Sequence, residues 1–329
     1  MDSTFQNAAD PLLNGYASLN VSGYQLIRSN GQVASFSSAG VLALDGLVAH
    51  LTLDEATDDK AKKDKKAKNV AAGGKQDLGE LKNGATFTNI GGGLGGAVSF
   101  DGVDDYVKVK KSDELNKDVL SQRTVSIWFQ VDDKTVGDRK QVIYEEGSEA
   151  EGLNIYIDNG RLYVGGWNEP KDDKGKEGSW TGTYVWTDKI TSGDWHHVAL
   201  VLDAESGNYD VAPSTLLAYL DGENFGEGRG SQLKKDRDEI TLGNVGKSTQ
   251  FHDGDVEGKD VEGHGLGGQI ADVQIYNQVL TANQIAALAG RSSTPTPSPI
   301  QFEVRSLDGS GNNLGNLTLG QAGTQYGRV

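Results

Sequence analysis

The sequence predicts an all-β protein that is mainly one antiparallel β-sandwich of two packed sheets, closed by one short C-terminal helix. Apolar residues alternate with polar ones in short runs, as at Val125, Ile127 and Phe129 in the run TVSIWFQV. A two-residue period is that of a strand with one buried face. The 45 glycines, against 6 prolines, fall largely between such runs and indicate tight turns. Short strands separated by turns, with almost no helical periodicity, are typical of a β-sandwich.

The clearest strand pair is a hairpin. Leu153 and Ile155 alternate along its first strand, which leads into Asp158-Asn159-Gly160 and then into RLYVGGW. Asn-Gly between two alternating runs is typical of a two-residue hairpin turn. The runs WHHVALVLD and STLLAYLDGE predict a second pair with a longer loop, and ITLGN and QIADVQIYN predict two more strands.

One helix is predicted after the last of these strands. Thr281 and Gln284 have the spacing of a capping box, in which the side chain of each residue accepts a hydrogen bond from the backbone N–H of the other. Ile285 and Leu288 provide an apolar face, and Gly290 suits the C′ position after the last turn.

The chain divides by composition into four zones. Residues 1–44 are a polar N-terminal extension with β-like pieces, and residues 45–290 carry the dense strand pattern of the main domain. Residues 291–299, RSSTPTPSP, predict an extended Ser/Thr/Pro linker, and residues 300–329 read as the truncated start of a following domain. The lysine-rich run KAKKDKKAKN is predicted to be an exposed loop, with a basic recognition loop as the alternative.

Charge and cysteine content exclude several classes of function. Lys and Arg number 31 and Asp and Glu 47, so the net charge of −16 repels phosphate backbones and argues against nucleic acid as a partner. The absence of cysteine excludes disulfides, thiolate metal sites and cysteine nucleophiles. No apolar run reaches the roughly 18 residues of a transmembrane helix. The first residues have neither the basic nor the apolar segment of a signal peptide.

Several motifs occur in a characteristic order: GLVAHLTLDEA, GGAVSFDGVDDYVKV, TVSIWFQVDD, GLNIYIDNGRLYVG, SGDWHHVALVLD, LLAYLDGE and GGQIADVQIYNQVLTANQIAALA. This series resembles the bacterial laminin-G-like domains of the concanavalin-A-like lectin/glucanase type over residues 46–290. The resemblance implies a jelly roll that binds carbohydrate or another ligand, frequently with calcium at its rim, within a multidomain extracellular protein. The lysine-rich insert departs from the family pattern, as does Ala271, where the family more often has Asp.

The first candidate calcium site follows from this resemblance. The first and last strands of a jelly roll lie close together, so Asp54, Asp101 and Asp272 are expected to converge. Gly102 would let the backbone bend so that carbonyl oxygens also point inward. Ca²⁺ prefers such oxygen ligands. The alternative is that Asp101 caps a turn and Asp272 is an exposed side chain beside it.

A second candidate lies in the loop that begins at Asp253. Asp253, Asp255 and Glu257 occupy positions 1, 3 and 5 of an EF-hand-like pattern. His264 stands where an EF-hand requires Glu, so a complete EF-hand is rejected and a looser calcium loop is retained as a hypothesis. A solvated acidic loop is the alternative.

Sugar recognition uses flat aromatic faces beside polar groups. The predicted ligand-binding residues are Trp167, Asn168, Trp180, Tyr184, Trp186 and His252. Core packing is the alternative for each tryptophan, and for Trp167 and Trp180 the two interpretations stay open. Trp128 and Trp195 are assigned to packing.

No catalytic constellation is predicted in this chain. His196 and His197 are adjacent and would point to opposite faces of a strand, so they cannot bind one zinc ion together. A retaining glycosidase needs two carboxyl groups about 5–5.5 Å apart. The Glu-x-Asp-x-Glu motif that would place them on a strand does not occur, and the adjacent Glu145 and Glu146 would face opposite ways. A glycoside hydrolase is therefore the weakest alternative.

The C-terminal tail has a resemblance of its own. It is similar to the start of animal-type haem peroxidase domains, which carry an Arg-Thr-x-x-Gly-x-x-Asn-Asn pattern. The residues that match are Arg305, Gly309, Asn312, Asn313 and Gly320, with Ser306 in place of Thr. The resemblance implies that the parent protein is a peroxidase and that this chain ends before any haem ligand. The alternative is a Gly/Asn-rich start of another β-domain.

Together these observations predict a calcium-stabilised carbohydrate- or ligand-binding module rather than an enzyme. The expected partner is a polysaccharide or glycan, and the expected location is extracellular or on a bacterial cell surface, by a route not visible as an N-terminal signal peptide. The alternative is a structural or adhesion module that binds a cell-surface protein and is attached to a peroxidase-like enzyme.

Overall fold

The chain forms two units, of which Asp45–Ser293 is one and Met1–Leu44 with Thr294–Val329 is the other. In the computed structural model, the described residues are 6–7, 17–18, 24–27, 46–71, 77–117, 120–137, 139–168, 181–204, 215–230, 233, 239–254, 256–257, 264–290, 303–307 and 313–318. Side chains are not described in the strands of the second unit.

The described residues form mainly β-strands, as the alternation of the sequence predicts. In chain order these are β1 Gln6–Asn7, β2 Ala17–Ser18, β3 Tyr24–Ile27, β4 Leu47–Leu51, β5 Lys66–Lys68, β6 Asp77–Lys82, β7 Thr86–Gly91, β8 Gly95–Asp101, β9 Tyr106–Val109, β10 Gln122–Val131, β11 Gln141–Gly147, β12 Glu151–Asp158, β13 Arg161–Asn168, β14 Thr181–Thr187, β15 Trp195–Asp203, β16 Leu216–Leu220, β17 Glu223–Gly228, β18 Ile240–Leu242, β19 Thr249–Gln250, β20 Val256–Glu257, β21 Gly267–Tyr276, β22 Glu303–Leu307 and β23 Asn313–Thr318. The helices are short: a 3₁₀ turn at Glu55–Thr57, α1 at Asp59–Asp64, a π turn at Asp113–Lys117 and α2 at Ala282–Ala289.

Two eight-stranded antiparallel sheets make the sandwich of the larger unit. Sheet I has the order β17-β16-β15-β10-β21-β8-β7, and β4 also pairs with β21. Sheet II has the order β14-β13-β12-β11-β18-β9-β6-β5. Strands distant in the sequence are neighbours in both sheets, as expected for a jelly roll, and the predicted fold class is confirmed.

The hairpin between β12 and β13 fixes the register of one end of sheet II. Asn159 and Gly160 both have positive φ angles, 46° and 80°, so the turn is of the type that matches the twist of the two strands. Asp158 therefore lies opposite Arg161, and Tyr156 opposite Tyr163. The predicted turn is confirmed.

The core lies between the sheets and consists of every second residue of their central strands. Val125 and Ile127 of β10 and Leu153 and Ile155 of β12 are at most 1% exposed and belong to one apolar cluster. The intervening residues point to the outer faces. The side chain of Tyr156, for example, lies on the opposite side of sheet II, in a separate cluster.

One ion pair is buried in this core. The Arg123 guanidinium of β10 lies 2.7 Å from the Glu146 carboxylate of β11, and both side chains have 0% exposure. Arg123 also donates to the Leu115 carbonyl and to Asn277 Oδ1, while Glu146 accepts from the Tyr144 hydroxyl at 2.8 Å. Because β10 belongs to sheet I and β11 to sheet II, the pair connects the two sheets.

The predicted helix is α2. Thr281 Oγ1 accepts from Gln284 N, and Gln284 Oε1 accepts from Thr281 N, so the capping box is present. Ile285 and Leu288 are buried. Gly290 is the C-cap with φ −70° and ψ −4°, a right-handed conformation that does not need glycine, so its predicted C′ role is wrong.

The lysine-rich run is not a loop. It forms most of α1 and all of β5, because Asp58 caps α1 by accepting from the backbone of Lys60 and Ala61. Ala61 is buried, as is Ala67 in β5. The Lys68 ammonium bonds Asp58 and lowers the pKa of that carboxyl to about 2. These contacts with acidic partners leave little support for a basic recognition loop.

The smaller unit contains a pair, β1-β2, and a three-stranded sheet of order β23-β22-β3. Pairing of Tyr24 with Ser306, and of Ile27 with Glu303, joins the N- and C-terminal segments in one sheet. The sequence did not predict this pairing. The predicted linker 291–299 and the motif residues Gly309, Asn312 and Gly320 lie outside the described residues, and the peroxidase resemblance stays a prediction. No helix in the described part of the chain is long and apolar enough to cross a membrane.

We expect Arg123→Met to destabilise the fold by about 3–5 kcal/mol, because it leaves the Glu146 carboxylate buried without its cation. The matched control is Lys108→Met, which removes the partly exposed pair with Glu239 and should cost less than about 1 kcal/mol. Urea unfolding monitored by tryptophan fluorescence measures both. Equal, small losses in the two variants would contradict a structural role for the buried pair.

Candidate functional site

The outer face of sheet II at the β12–β14 end carries several aromatic side chains. Tyr156, Tyr163 and Trp186 lie opposite one another on three neighbouring strands, and opposed residues of antiparallel strands project from the same face. Tyr184 lies two residues from Trp186 on the same strand and therefore also on this face. His252 reaches it from the segment that follows β19. We call these five residues the aromatic face.

Buried tyrosines support the exposed members of the aromatic face. Tyr156 and Tyr163 stack with ring centroids 5.1 Å apart and an angle of 7° between their planes. His252 stacks on Tyr163 at 4.1 Å and 19°. Because Tyr156 and Tyr163 are buried while His252 is exposed, the tyrosines fix the histidine ring from below.

Trp186 is the most exposed aromatic side chain of this face. It is 47% exposed, although a tryptophan normally buries most of its ring. The exposed Arg161 guanidinium lies 4.1 Å from the ring centroid, within the range of a cation–π contact. The contact orients the indole and places the N–H donors of Arg161 over one face of the ring, which leaves the other face for a ligand.

Tyr184 lies flat because its cross-strand neighbour is glycine. A Cβ atom at Gly165 would fall 2.6 Å from the Tyr184 ring and 2.4 Å from Asn154 Oδ1. Burial raises the pKa of Tyr184, so its hydroxyl keeps its proton. Neither the Tyr184 hydroxyl nor Asn154 Oδ1 has a hydrogen-bond partner among the described residues. Buried polar atoms without partners are uncommon in native proteins and mark places where water or a ligand completes the bonding.

Trp167 and Asn168 are not part of an exposed surface, which corrects their predicted role. Trp167 is 3% exposed and Asn168 0%. The Trp167 ring fills the space left by Gly152 on the next strand, where a Cβ atom would lie 2.6 Å from the indole, and Trp167 Nε1 donates to the Ser148 carbonyl at 2.9 Å. Trp180 lies outside the described residues. Of the six predicted residues, Tyr184, Trp186 and His252 belong to the aromatic face, and the buried Trp167 ring stacks on Tyr184 at 6.5 Å.

The two tryptophans assigned to packing lie on sheet I. Trp128 is 3% exposed and packs with Ala97 and Ala271, and Trp195 is partly buried against the same cluster. Their assignment is confirmed.

The predicted calcium trio is separated in the structure. Asp101 pairs with Gly267, five residues before Asp272 on the same strand, which places the two aspartates about 16 Å apart. Asp54 lies beside Gly96, at the opposite end of β8 from Asp101. The prediction that the three converge on one ion is therefore wrong. Strand direction is the physical reason, because Asp101 lies at one end of β8, whereas Asp54 and Asp272 lie towards its other end.

Asp272 has a structural role instead. Its carboxylate contacts His50 Nε2 at 2.6 Å and accepts from Gln274 Nε2 at 3.0 Å. Its φ of +46° accompanies a register shift where β21 pairs with β10. A bulge of this kind accommodates one extra residue in a strand.

Asp101 lies instead with Asp104 and Asp105, and the carboxylate oxygens of the three are within 4.8 Å of one another. Gly102 has a φ of +81°, so it provides the predicted bend. Burial raises the pKa of Asp105, whose two oxygens accept from Gly84 N at 2.5 Å and Asp101 N at 3.0 Å. Three carboxylates form an all-oxygen donor set, which fits Ca²⁺. Both oxygens of Asp105, however, already accept hydrogen bonds from backbone N–H groups.

Asp253 is the one carboxylate of the second predicted cluster whose side chain the structure describes, so that cluster stays a prediction. Its carboxylate lies 2.8 Å from Lys140 Nζ and close to Asp158 and His252. Asp255 and the side chain of Glu257 lie outside the described residues.

The histidine and glutamate pairs face opposite ways, as predicted. His196 Nδ1 bonds Asp221 at 2.8 Å, whereas His197 Nε2 bonds Ser126 at 2.8 Å on the other side of the strand. Burial alone would raise the pKa of Asp221, but the hydrogen bonds from His196 and from the His197 backbone lower it. Glu145 likewise bonds Thr241 on the face opposite the Arg123–Glu146 pair, at 3.2 Å.

A family model described as the concanavalin A-like lectin/glucanases superfamily, a laminin G family, matches residues 100–286 of the 329-residue chain. The chain belongs to this superfamily. No curated protein sequence matches it significantly.

Three solved structures illustrate the shared fold. The receptor-binding domain of botulinum neurotoxin C/D mosaic serotype is 14% identical with a TM-score of 0.50, covering 74% of this chain and 51% of that one. The binding domain of Paraclostridial Mosquitocidal Protein 1 is 15% identical with a TM-score of 0.48, covering 75% and 52%. Domain 4 of a GH43 extracellular arabinanase from Geobacillus stearothermophilus, solved with arabinotriose, is 17% identical with a TM-score of 0.46, covering 74% and 98%. The chain thus spans about half the length of the toxin domains and nearly all of the arabinanase domain.

The two tryptophans of the β13–β14 pair should differ sharply in their contribution to stability. We expect Trp167→Ala to lower the free energy of unfolding by about 3–5 kcal/mol, because it leaves a cavity where the buried indole packs over Gly152 and against Tyr184. Trp186→Ala should cost less than about 1 kcal/mol, since half of its ring is already in water. Urea denaturation of both variants provides the comparison, and a large loss for Trp186→Ala would show that its ring is packed rather than available.

Proposed function

We propose that the larger unit is a carbohydrate-binding module whose aromatic face holds a sugar. The observation that carries the proposal is the exposed Trp186 ring, oriented by Arg161 on a rigid sheet. The C–H side of a pyranose or furanose ring packs on a flat aromatic surface, and its hydroxyls need donors and acceptors at the edge. Membership of a superfamily named for lectins and glucanases agrees with this role.

Polar groups around Trp186 suit the edge of a sugar ring. Arg161 offers several N–H donors on one side, and Asp158, its cross-strand partner, offers carboxylate acceptors. The Tyr184 hydroxyl, protonated and without a partner among the described residues, lies two residues away on β14. A ligand or water that reached it would complete its bonding.

The same geometry favours binding over hydrolysis. Glu145 and Glu146 are buried, with the two side chains on opposite faces of β11. Glycoside hydrolysis requires two carboxyl groups on one open face, so these two glutamates do not form a hydrolytic pair. We therefore propose recognition, and not hydrolysis by Glu145 and Glu146, as the role of this chain.

Calcium is a further part of the proposal. The carboxylates of Asp101, Asp104 and Asp105 would hold the ion, and it would supply positive charge that orders the turn after β8. This function would be structural, since the aromatic face lies on other strands. An extracellular or cell-surface setting and a C-terminal peroxidase domain belong to the same proposal.

A protein-adhesion role is the second candidate. Tryptophan, tyrosine and arginine are the residues enriched at the energetic centres of protein interfaces, and Trp186, Tyr184 and Arg161 lie side by side here. A cell-surface protein with an acidic or flat apolar patch would fit them.

A polysaccharide and glycan array tests the proposal, run once with millimolar calcium and once with EDTA. We expect binding that Trp186→Ala reduces by at least about thirtyfold, which corresponds to about 2 kcal/mol. Trp186→Phe, which keeps a flat ring, should retain more affinity, and Val103→Ala, at another exposed apolar residue, should match the wild type. Binding that is lost in EDTA and restored by CaCl₂, but not by ZnCl₂, would support the calcium part of the proposal.

The absence of binding to any glycan, with and without calcium, would reject the carbohydrate function. Equal binding by the wild type and Trp186→Ala would reject the aromatic face as its site. In the first case the adhesion role becomes the leading candidate.

A further inference from the structure

His252 is held in one orientation by residues outside its own loop. Its ring stacks on Tyr163 at 4.1 Å, and Nδ1 lies 3.0 Å from the Tyr156 hydroxyl. The backbone N–H of His252 donates to the same hydroxyl oxygen at 2.9 Å. A stacked ring with one nitrogen already bonded has its other nitrogen, Nε2, fixed in direction.

The Asp158 carboxylate lies near that nitrogen, and the Asp253 carboxylate belongs to the same cluster. Asp158 Oδ2 lies 3.9 Å from His252 Nε2, and one ligand atom each from Asp158, His252 and Asp253 are all within 4.8 Å of one another. Asp158 comes from the hairpin end of β12, whereas His252 and Asp253 come from the loop after β19. The cluster therefore joins two separate parts of the fold.

We propose that Asp158, His252 and Asp253 form a binding site for a divalent first-row transition metal ion such as Zn²⁺. The site is different from the calcium clusters predicted from the sequence, because it includes a nitrogen donor. Imidazole together with carboxylate suits zinc and its neighbours, whereas Ca²⁺ takes oxygen ligands. Three protein ligands would leave the remaining coordination positions to water.

The distances are compatible with such an ion after a small adjustment. Ligand atoms around tetrahedral zinc, each about 2.0–2.2 Å from the metal, lie about 3.3 Å apart. His252 and Asp253 lie in the loop after β19, so a small shift of that loop closes the difference without turning the His252 ring away from Tyr163. Asp158 is already oriented, since its other oxygen accepts from Asn159 Nδ2 at 2.9 Å.

The surroundings of His252 resemble the outer shell of a metal site. Metal-bound histidines use their second ring nitrogen to bond a neighbouring group, which fixes ring orientation and tautomer. Here the Tyr156 hydroxyl has that position, 3.0 Å from Nδ1. A hydroxyl both donates and accepts, so Nδ1 keeps its partner when Nε2 binds an ion.

Charge also favours a cation at this position. The two carboxylates carry two negative charges, and Lys140 Nζ, 2.8 Å from Asp253, offsets one of them. Lys140 is itself held over the Phe251 ring at 4.8 Å, so it lies on one side of Asp253 and need not block the other. The net charge of −16 adds a long-range attraction for cations.

The inference does not depend on carbohydrate binding, because it is tested without a glycan. The whole chain, freed of metal with EDTA and dialysed, is titrated with ZnCl₂ by calorimetry in buffer containing millimolar CaCl₂. We expect one dominant site in the wild type, with affinity reduced at least about tenfold in His252→Gln and in Asp158→Asn. Asp104→Asn, a matched change in the other acidic cluster, should leave the affinity unchanged.

If His252→Gln does not fold, Asp158→Asn still tests the proposal. The proposal is overturned if the wild type shows no zinc site, or if Asp158→Asn binds zinc as the wild type does. A loss confined to Asp104→Asn would also overturn it, because the ion would then lie at the turn after β8.

Discussion

The ion pair between Arg123 and Glu146 is the interaction on which the rest of the sandwich depends. Two charges removed from water must keep each other and their hydrogen-bond partners, so the pair fixes which face of β10 and which face of β11 point into the core. Glu146 points inward, and strand alternation then directs Glu145 outward. A slip of one residue would exchange the two faces of sheet II and move Tyr156 and Tyr163 into the core. The position of the aromatic face thus follows from a contact in the interior.

Local features of the sequence predicted the elements that depend on neighbouring residues. The alternation of apolar and polar residues predicted the strands, Asn159-Gly160 predicted the β12–β13 turn, and Thr281 with Gln284 predicted the start of α2. The prediction of a loop for the lysine-rich run was wrong because it was based on charge. The Asp58 cap stabilises a helix there, and one buried alanine anchors the helix while another anchors the strand that follows. The pairing of β3 with β22 could not be predicted, since it joins segments from opposite ends of the chain with no local sign of the partner.

The candidate site was predicted in part, for a similar reason. Exposure of a tryptophan depends on what lies opposite it on the next strand. Gly152 gives Trp167 a place to bury its ring, whereas Trp186 faces a Tyr163 that already fills the sheet surface. Arg161 and Asp158 were missed, although the register set by the Asn-Gly turn would have placed them beside the aromatic residues. The calcium trio failed because proximity of two strands does not bring their opposite ends together.

The central claim is that a sugar is held on the outer face of sheet II at Trp186, and the indole N–H groups report on it directly. The chain has 5 tryptophans, so a ¹⁵N-labelled sample gives one indole signal for each. Titration with an oligosaccharide that binds the protein should shift the Trp186 signal strongly and leave that of Trp128, on sheet I, nearly unchanged. Binding that shifts the Trp195 signal on sheet I, and not that of Trp186, would contradict the account.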